Sequence, residues 1–361
     1  MHKTFPEIKK NFGFGLMRLP MAGDEVDYDQ VCRMVDAFLD AGFNYFDTAH
    51  PYIQGMSEEA VKRCLAQRHS RSSFVLTNKL SGGCFEKEEE IRPLFEKQLA
   101  CCGVEYFDFY LHHALNARRH QVYIDTRAYE IVKELKAEGK IHHIGMSFHD
   151  TADVLDRILT DRPEIEVVQL QLNYVDWDDL RVQSRACLEV CVKHGKRVLV
   201  MEPVKGGSLV NLPPKAAALM PMSQASYALR FAAGQENVVM VLSGMSDMAQ
   251  MADNLATMGD FKPLSEEEMD IIDRVRTIYQ GQHKIPCTAC RYCTDGCPAG
   301  IPIPEVFACF NDKKQEKEGA DAAFAAIENG PDACVGCGQC EQVCPQKLHI
   351  RQLLEDVTKA F

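Results

Sequence analysis

The chain has 361 residues, of which 46% are hydrophobic and 16 are cysteine, enough for one large core and a small second domain. Its 40 lysines and arginines stand against 52 aspartates and glutamates, a net charge of -12 without a basic run, which disfavours nucleic acid and anionic membranes as partners. No stretch approaches the roughly 18 apolar residues of a membrane span. The start lacks the apolar core of an export signal, so we expect a cytoplasmic protein.

Short runs rich in β-branched and aromatic residues alternate with segments of helical period over the first 275 residues. Eight of these runs are predicted strands: Phe12–Leu16, Asn44–Thr48, Phe74–Thr77, Phe107–His113, His143–Ser147, Val167–Leu172, Arg197–Met201 and Val238–Leu242. After the first strand, apolar residues from Val31 to Leu39 recur on one helical face, and Gly42 follows as a stop signal. Later helices are predicted at Ser265–Gln280, Asp321–Glu328 and Ile350–Lys359.

This regular alternation indicates the fold class. Parallel strands need helical crossovers of this kind, and eight strand-helix units in about 250 residues predict a closed (β/α)8 TIM barrel. An open doubly wound sheet is the alternative, but no GxGxxG follows the first strand. We predict a barrel at residues 1–275 and a small, mainly helical domain at residues 276–361. The active site of a barrel lies at the C-terminal ends of its strands.

Four polar residues fall at or just after the predicted ends of strands two, three and four: Asp47, Tyr52, Lys79 and His113. Reduction of a carbonyl needs a proton donor and dipoles that polarise the carbonyl oxygen. Tyr52 is the candidate donor, because a neighbouring Lys79 would lower a phenol pKa that is ordinarily near 10. Asp47 would keep the buried lysine charged, and His113 would orient the substrate oxygen.

Four motifs span the same part of the chain. They are Asn44-Tyr45-Phe46-Asp47-Thr48-Ala49-x-x-Tyr52, Gly55-x-Ser57-Glu58, Thr77-Asn78-Lys79 and Asp108-Phe109-Tyr110-Leu111-x-His113. With them, residues 10–260 resemble the aldo-keto reductases. The resemblance implies a (β/α)8 barrel, a nicotinamide cofactor and a catalytic tetrad formed by the four residues above. The register from Asp108 selects His113 over the adjacent His112.

The resemblance also implies contacts to the nicotinamide cofactor. Ser147 and Gln169 would hold the nicotinamide amide. A glycine loop and the start of the next helix would surround the adenosine phosphate: Gly244, Met245, Ser246, Gln250 and Asn254. A glycine loop that leads into a helix N-terminus is an anion site. Asp247 stands where the family often has a basic residue for the NADP 2′-phosphate, so the choice between NADH and NADPH stays open.

The C-terminal segment contains the pattern C-x2-C-x2-C-x3-C-P twice. In two-cluster proteins with this pattern, the fourth cysteine of each copy ligates the other cluster. We therefore predict two 4Fe-4S clusters, one on Cys287, Cys290, Cys293 and Cys344 and the other on Cys334, Cys337, Cys340 and Cys297. Zinc would leave the third and fourth cysteines of each copy unexplained, and disulfides would require an oxidising compartment.

Together the two parts resemble an aldo-keto reductase subgroup with a C-terminal ferredoxin-like domain, and the segment from Met201 to Gly207 resembles that subgroup too. We expect NAD(P)H-dependent reduction of a small aldehyde or ketone. Nicotinamide transfers a hydride whereas each cluster carries one electron, so three hypotheses stay open. The clusters are accessory, or they relay electrons between a partner protein and the substrate or a flavin, or the barrel is a non-catalytic redox sensor. No flavin motif is legible, although barrels bind flavin phosphate through late-strand loops.

Overall fold

The computed structural model describes residues 5–315 and 317–361, and contacts divide these residues into two compact units. The first unit comprises residues 5–179, 183–203 and 225–265. The second comprises residues 180–182, 204–224 and 266–361. It therefore includes a stretch of chain that lies, in sequence, between two predicted barrel strands. The predicted domain boundary at residues 275 and 276 falls inside a helix, Glu266–Gln280.

The first unit contains the closed barrel of parallel strands that the sequence predicts. In chain order the strands are β1 Phe12–Gly15, β2 Met21–Ala22, β3 Glu25–Val26, β4 Tyr45–Asp47, β5 Val75–Ser81, β6 Phe107–Leu115, β7 Ile141–Phe148, β8 Val167–Gln171, β9 Arg197–Met201 and β10 Val238–Ser243. The barrel order is β1, β10, β9, β8, β7, β6, β5, β4, so all eight predicted strands are confirmed. β2 and β3 form a separate antiparallel pair, which was not predicted because two-residue strands carry no readable period.

Helices follow most barrel strands, as parallel pairing requires. They are α1 Tyr28–Asp40, α2 Met56–Ala60, α3 Glu88–Cys102, α4 Ala117–Asp125, α5 Ala128–Ala137, α6 Ala152–Asp161, α7 Ser184–Lys193, α8 Pro214–Ala217, α9 Gln224–Ala233, α10 Met248–Gly259, α11 Glu266–Gln280, α12 Ile303–Lys314, α13 Ala320–Ala325, α14 Gln339–Val343 and α15 Ile350–Ala360. The predicted helix after the first strand is α1, whose face toward the barrel is buried. The predicted helix Asp321–Glu328 ends earlier, at Ala325.

The barrel interior is filled by side chains from alternate strand positions. One buried cluster contains Phe5, Ile8, Tyr45, Val75, Phe109, Leu111, Val167, Leu199, Met240 and Leu242. Gly145 of β7 meets this cluster so closely that an added Cβ would lie 2.5 Å from both Leu111 Cδ2 and Val167 Cγ2. Only glycine fits there, because protein cores are packed too tightly to absorb an overlap of that size. The interior is thus solid below the ends of the strands where the polar residues lie.

The second unit has its own hydrophobic core. It is formed by Ile285, Cys293, Ile301, Ile303, Val306, Phe307, Cys340, Leu348, Ile350, Leu354 and Val357. Helices α11 to α15 and the two cysteine loops supply the C-terminal part of this unit, and residues 266–315 and 317–361 contain no strand. Within the described ranges of the chain, no helix is both long and apolar enough to cross a membrane.

Candidate active site and cluster-binding loops

A buried ion pair lies at the C-terminal ends of β4 and β5. Lys79 Nζ donates hydrogen bonds to Asp47 Oδ1 at 2.5 Å and to the Thr48 carbonyl at 2.8 Å. The Lys79 side chain is 0% exposed and that of Asp47 5% exposed. β5 continues beyond its predicted end at Thr77 to Ser81, so Lys79 lies within the strand rather than after it. A buried ammonium needs an anionic partner, and Asp47 supplies it.

Tyr52 lies beside this pair. It begins a short 3-10 turn, Tyr52–Gly55, that follows β4, and its ring centroid is 4.7 Å from Lys79 Nζ. The turn is unusual because Ile53 and Gln54 both have positive φ angles, 49° and 53°. A β-branched residue rarely adopts this conformation, and such strain is found where the surrounding structure must hold a particular side chain. The phenol of Tyr52 is therefore held next to a positive charge.

His113 completes the group of four predicted residues. It pairs with Ser81 in the register of β5 and β6, and Ser81 Oγ lies 2.6 Å from His113 Nδ1. The rings of His113 and Tyr52 are 5.9 Å apart between centroids and nearly perpendicular. Burial, followed by the charge of Lys79, holds the pKa of His113 well below its usual 6.5, so the imidazole is neutral at pH 7.

A second layer of polar residues, not predicted as part of the site, supports the tetrad. Glu58 is fully buried; its Oε2 lies 2.6 Å from His50 Nδ1, and its Oε1 accepts a hydrogen bond from Asn78 Nδ2 at 2.8 Å. Asn78 Oδ1 in turn accepts from the Lys79 amide at 2.8 Å. The sequence did contain a signal for Ser81, because it stands two residues after Lys79 and therefore on the same face of the strand.

Ser147 and Gln169 lie side by side at the ends of β7 and β8, where they are direct partners in the strand register. Both are buried. Ser147 Oγ accepts a hydrogen bond from the Ala114 amide at 2.7 Å, and Gln169 Nε2 donates to Asp47 Oδ2 at 3.1 Å. Gln169, which is predicted to hold the nicotinamide, is therefore hydrogen-bonded to the Lys79–Asp47 ion pair.

The predicted phosphate loop follows β10. Ser246 Oγ donates to the Arg18 carbonyl at 2.8 Å, and the Ser246 amide donates to Gln250 Oε1 at 2.9 Å. Asp247 is the N-cap of α10: its carboxylate accepts hydrogen bonds from the Gln250 amide at 2.8 Å and from Gln250 Nε2 at 2.9 Å. Asp247 therefore has a local structural role at the helix terminus.

The remaining predicted cofactor residues lie around the same loop. Met245 is fully buried, and Asn254 Nδ2 donates to Ser243 Oγ at 2.8 Å beneath the loop. A Cβ added to Gly244 would lie 3.6 Å from Arg18 Cβ. The stem of Arg18, a residue that was not predicted as part of the site, thus lies next to the glycine. No signal in the sequence marks it, since it belongs to the distant β1 loop.

The predicted ligands of the first cluster line one cavity, although they come from both copies of the pattern. Cys287, Cys290, Cys293 and Cys344 all contribute to its wall. Burial, and after it the neighbouring cysteines, raises the pKa of the Cys293 thiol to about 12. Four thiols around one largely enclosed space are the donor set that a cubane cluster requires. The residues present therefore fit that group.

The other predicted set is more open to solvent. Cys340 is buried in the core of the second unit, whereas Cys334 and Cys337 are exposed. The side chains of Cys334 and Cys337 are therefore open to solvent.

Cys297, the predicted fourth ligand of this set, packs against the core of the second unit. The residue before it, Gly296, approaches Gln339, the residue before Cys340: a Cβ added to Gly296 would lie 3.5 Å from Gln339 Oε1. The end of the first copy, at Cys297, thus lies close to the second copy near Cys340. Among the residues of the two described ranges, no three or more His, Cys, Asp or Glu side chains are arranged for a single metal ion.

Two family profiles match separate parts of the chain, and the first also spans residues 204–224, which belong to the second unit. The aldo/keto reductase family profile matches residues 11–217 and 209–277. The chain belongs to the aldo/keto reductase family. A separate profile, that of the 4Fe-4S dicluster domain, matches residues 286–348. The first match covers the barrel with its tetrad, and the second covers both cysteine loops.

Curated relatives of this aldo/keto reductase match it in part. A probable NAD(P)H-dependent D-xylose reductase from Aspergillus terreus is 27% identical over 161 residues, which is 43% of this chain and 48% of the relative. An acetyl-CoA decarbonylase/synthase complex subunit alpha 1 from Methanosarcina mazei is 34% identical over 73 residues, 20% of this chain and 8% of the relative. The chain thus spans about half the length of the first relative and a small part of the second.

Solved structures of aldo-keto reductases share the barrel. AKR11C1 from Bacillus halodurans is 25% identical with a TM-score of 0.62, and the match covers 73% of this chain and 91% of that chain. An aldo-keto reductase from Klebsiella pneumoniae, solved in complex with NADPH, is 21% identical with a TM-score of 0.60 and covers 74% and 90%. The similarity to the Klebsiella pneumoniae structure shows that the two proteins share a fold.

Proposed function

We propose that the barrel reduces a small aldehyde or ketone to an alcohol with NAD(P)H, and that the reaction is reversible. The observation that carries the proposal is the buried Lys79–Asp47 pair, 2.5 Å apart, with the Tyr52 ring 4.7 Å from the ammonium. The nicotinamide supplies a hydride when it is bound. The chain must then supply the proton for the oxygen that becomes an alkoxide.

Tyr52 is the proton donor in this proposal. When its O–H gives up the proton to the substrate oxygen, a phenolate remains, and the adjacent ammonium of Lys79 stabilises that negative charge. Asp47 keeps Lys79 charged and in place, because an ammonium without a counter-ion would be costly in this buried position. The same groups serve the reverse reaction, in which the phenolate takes the proton from an alcohol.

His113 orients the carbonyl rather than donating a proton. With its pKa held well below 6.5, it is neutral at pH 7. If the Ser81 hydroxyl donates to Nδ1, the single ring proton resides on Nε2 and can donate a hydrogen bond to the substrate oxygen. Ser81 is therefore a positioning residue that selects the tautomer of His113.

Ser147 and Gln169 offer a complementary pair of groups for a carboxamide. Ser147 Oγ accepts from Ala114, which leaves the hydroxyl proton as a donor, while Gln169 Nε2 is bonded to Asp47, which leaves Oε1 as an acceptor. One donor and one acceptor are what the oxygen and nitrogen of a nicotinamide amide require. This match supports nicotinamide as the cofactor of the barrel.

The loop Gly244–Ser246 and the start of α10 are proposed to hold the phosphates of the cofactor. The stem of Arg18 packs beside Gly244, and its guanidinium forms an ion pair with Glu202 at 3.8 Å, so we propose that this arginine helps to hold the phosphates. Asp247 caps the helix and places a carboxylate in the same loop, which disfavours a 2′-phosphate at this point. The proposal therefore includes both NADH and NADPH as hydride donors.

The test of the tetrad is the variant Tyr52→Phe. We expect carbonyl reduction to fall by at least about 100-fold, because general acid catalysis contributes that much or more, while the absorption of the iron-sulfur clusters stays unchanged. Tyr106→Phe is the matched control, since Tyr106 precedes β6 at the opposite end of the barrel. Turnover by Tyr52→Phe at the wild-type rate would remove the assignment.

For the second unit we propose two 4Fe-4S clusters with exchanged fourth ligands. One uses Cys287, Cys290, Cys293 and Cys344, and the other uses Cys334, Cys337, Cys340 and Cys297. The shared cavity of the first set supports the exchange. Each bound cluster supplies one-electron redox capacity.

Electron relay is a second candidate role, and the exposure of Cys334 and Cys337 favours it. An electron-transfer protein needs access to a cluster edge, and two clusters together hold the two electrons that carbonyl reduction consumes. The decisive measurement adds a carbonyl substrate to protein whose clusters have been reduced chemically, without nicotinamide. Oxidation of the clusters with formation of alcohol supports relay, and clusters that stay reduced assign the reaction to the nicotinamide alone.

A further inference from the structure

A strained turn in the second unit follows strand β9. Lys205, Gly206 and Gly207 are three consecutive residues with positive φ angles of 50°, 62° and 93°. The turn is closed by backbone hydrogen bonds from the Ser208 amide to the Lys205 carbonyl and from the Leu209 amide to the Val204 carbonyl, both 3.1 Å. A lysine in the left-handed conformation is uncommon and is retained where the surroundings require it.

The turn is closely packed against the loop that contains Cys287 and Thr288. A Cβ added to Gly206 would lie 2.5 Å from the Thr288 carbonyl oxygen and 2.8 Å from Thr288 Cα, so a side chain cannot be accommodated. Thr288 directly follows Cys287. The position therefore combines a positive φ angle with close backbone approach, the two conditions under which glycine is needed.

The side chain of Lys205 contacts Gln346, one of the residues that line the cavity of the first cysteine set. Its side chain is buried, with the residue only 3% exposed, and Nζ lies 3.4 Å from Gln346 Oε1. Gln346 stands two residues after Cys344, and it lines the cavity together with Thr288 and the four cysteines of the first set. The turn thus contacts both chain segments that deliver ligands to that set, through Gly206 at Thr288 and through Lys205 at Gln346.

We propose that Lys205 is a redox-tuning residue of the cluster held by Cys287, Cys290, Cys293 and Cys344. Reduction adds one negative charge to the cluster, and a buried ammonium beside it stabilises the reduced state more than the oxidised state. Lys205 therefore raises the reduction potential of this cluster. The other cluster, with two exposed cysteines, is screened by solvent and takes no such shift from this lysine.

The inference rests on the proposed ligand set, and its readout is a potential rather than turnover. The test is a redox titration of the reconstituted full chain, followed by electron paramagnetic resonance, for the wild type and Lys205→Met. We expect one midpoint to become more negative, with the reduced-to-oxidised ratio at a fixed potential falling about tenfold, or about 59 mV for one electron. The second midpoint stays in place, and Lys205→Arg keeps both.

Lys215→Met is the matched control. Lys215 is exposed on α8 in the same segment of the second unit, so this variant removes the same charge without touching the cavity, and we expect no shift. Unchanged midpoints in Lys205→Met overturn the proposal, as do equal shifts of both midpoints. Loss of iron from Lys205→Met with retention in Lys205→Arg also overturns it, because the lysine then retains the cluster instead of tuning it. A wild-type protein that binds no cluster refutes the ligand set itself.

Discussion

At the scale of single residues, burial disfavours a charge on both Lys79 and His113, and their surroundings decide the different outcomes. The ammonium of Lys79 stays in place because Asp47 and the Thr48 carbonyl surround it, so removing Asp47 would leave an uncompensated charge at a cost of about 3–5 kcal/mol. His113 forms a hydrogen bond with Ser81 through Nδ1, and burial keeps the imidazole neutral. The site thus combines the ammonium of Lys79 with the neutral, hydrogen-bonded imidazole of His113.

His112 shows the other outcome for a buried histidine. It points to the opposite side of β6 from His113 and packs on Tyr129, with ring centroids 4.4 Å apart. Neither of its ring nitrogens has a hydrogen-bond partner among the described residues. Burial lowers the pKa of His112 from 6.5 to about 3. Its imidazole therefore has a packing role, and its polar atoms are a cost to stability.

The lowered pKa of His112 in the folded protein predicts that the barrel loses stability as the pH falls. The folded pKa of His112 lies below the unfolded value, so below pH 6.5 the unfolded chain binds an extra proton and stability falls with pH down to about pH 3. Between pH 7.5 and 5.5 the wild type should lose about 1.4 kcal/mol more free energy of unfolding than His112→Leu. Denaturation followed by the fluorescence of the single tryptophan, Trp177 in the first unit, measures this. Equal losses in both proteins would contradict it.

At the scale of elements, the turn after β9 depends on glycine for two separable reasons. Gly206 and Gly207 both have positive φ angles, but only Gly206 meets Thr288; no atom lies within 4 Å of a Cβ added to Gly207. Each alanine variant therefore has a conformational cost of about 1 kcal/mol or somewhat more, while Gly206→Ala adds an overlap with the backbone of the cysteine loop.

The expected result is that Gly206→Ala lowers iron content and the thermal midpoint of the second unit clearly more than Gly207→Ala does. Iron and sulfide analysis of the two purified variants, with calorimetry of each, provides the comparison. Equal behaviour would mean that the turn tolerates displacement from Thr288.

The strand elements show where sequence patterns lose precision. The prediction ended one strand at Thr77, whereas β5 extends to Ser81 and includes Lys79. Residues 78–81 lack β-branched and aromatic side chains, so their propensity did not predict a strand. Pairing with β6 keeps them extended, since Lys79 pairs with Leu111 and Ser81 with His113. Propensity is local, but strand length in a closed barrel is set by its neighbours.

At the scale of the whole molecule, the proposed exchange of fourth ligands would connect the two cysteine loops of the second unit. A wild-type chain should contain about eight irons, and each cluster should disappear when any one of its own ligands is lost. We expect Cys344→Ser and Cys287→Ser to abolish the same paramagnetic signal, and Cys297→Ser to abolish the other.

Cys309→Ser is the control for these variants, because Cys309 is a buried cysteine between the two copies of the pattern but outside their spacing. Its iron content should match the wild type. If Cys344→Ser and Cys337→Ser lose the same signal, each copy of the pattern binds its own cluster and the exchange is refuted.

Much of the site followed from residue type and spacing alone. The strand-end positions of Asp47, Tyr52 and Lys79 and the repeated cysteine pattern could be read directly, because strand-helix alternation places strand ends together and cluster ligands follow a fixed local spacing. Arg18 could not be selected in this way, and Ser81 could be placed on the strand face of Lys79 but not paired with His113. Each takes its place only through a neighbour that is distant in sequence, the Gly244 loop in one case and His113 in the other.

The sequence by itself determined the barrel and the family, and it predicted the four residues of the tetrad and the two sets of cysteines, since each depends on periodicity or on short-range spacing. Only the tertiary structure decided that the stretch 204–224 belongs with the second unit, and that Lys205 lies beside the cavity of the first cysteine set. The physical reason is that packing joins residues far apart in the chain. Lys205 and Gln346 are separated by 141 positions, and no periodic pattern relates them.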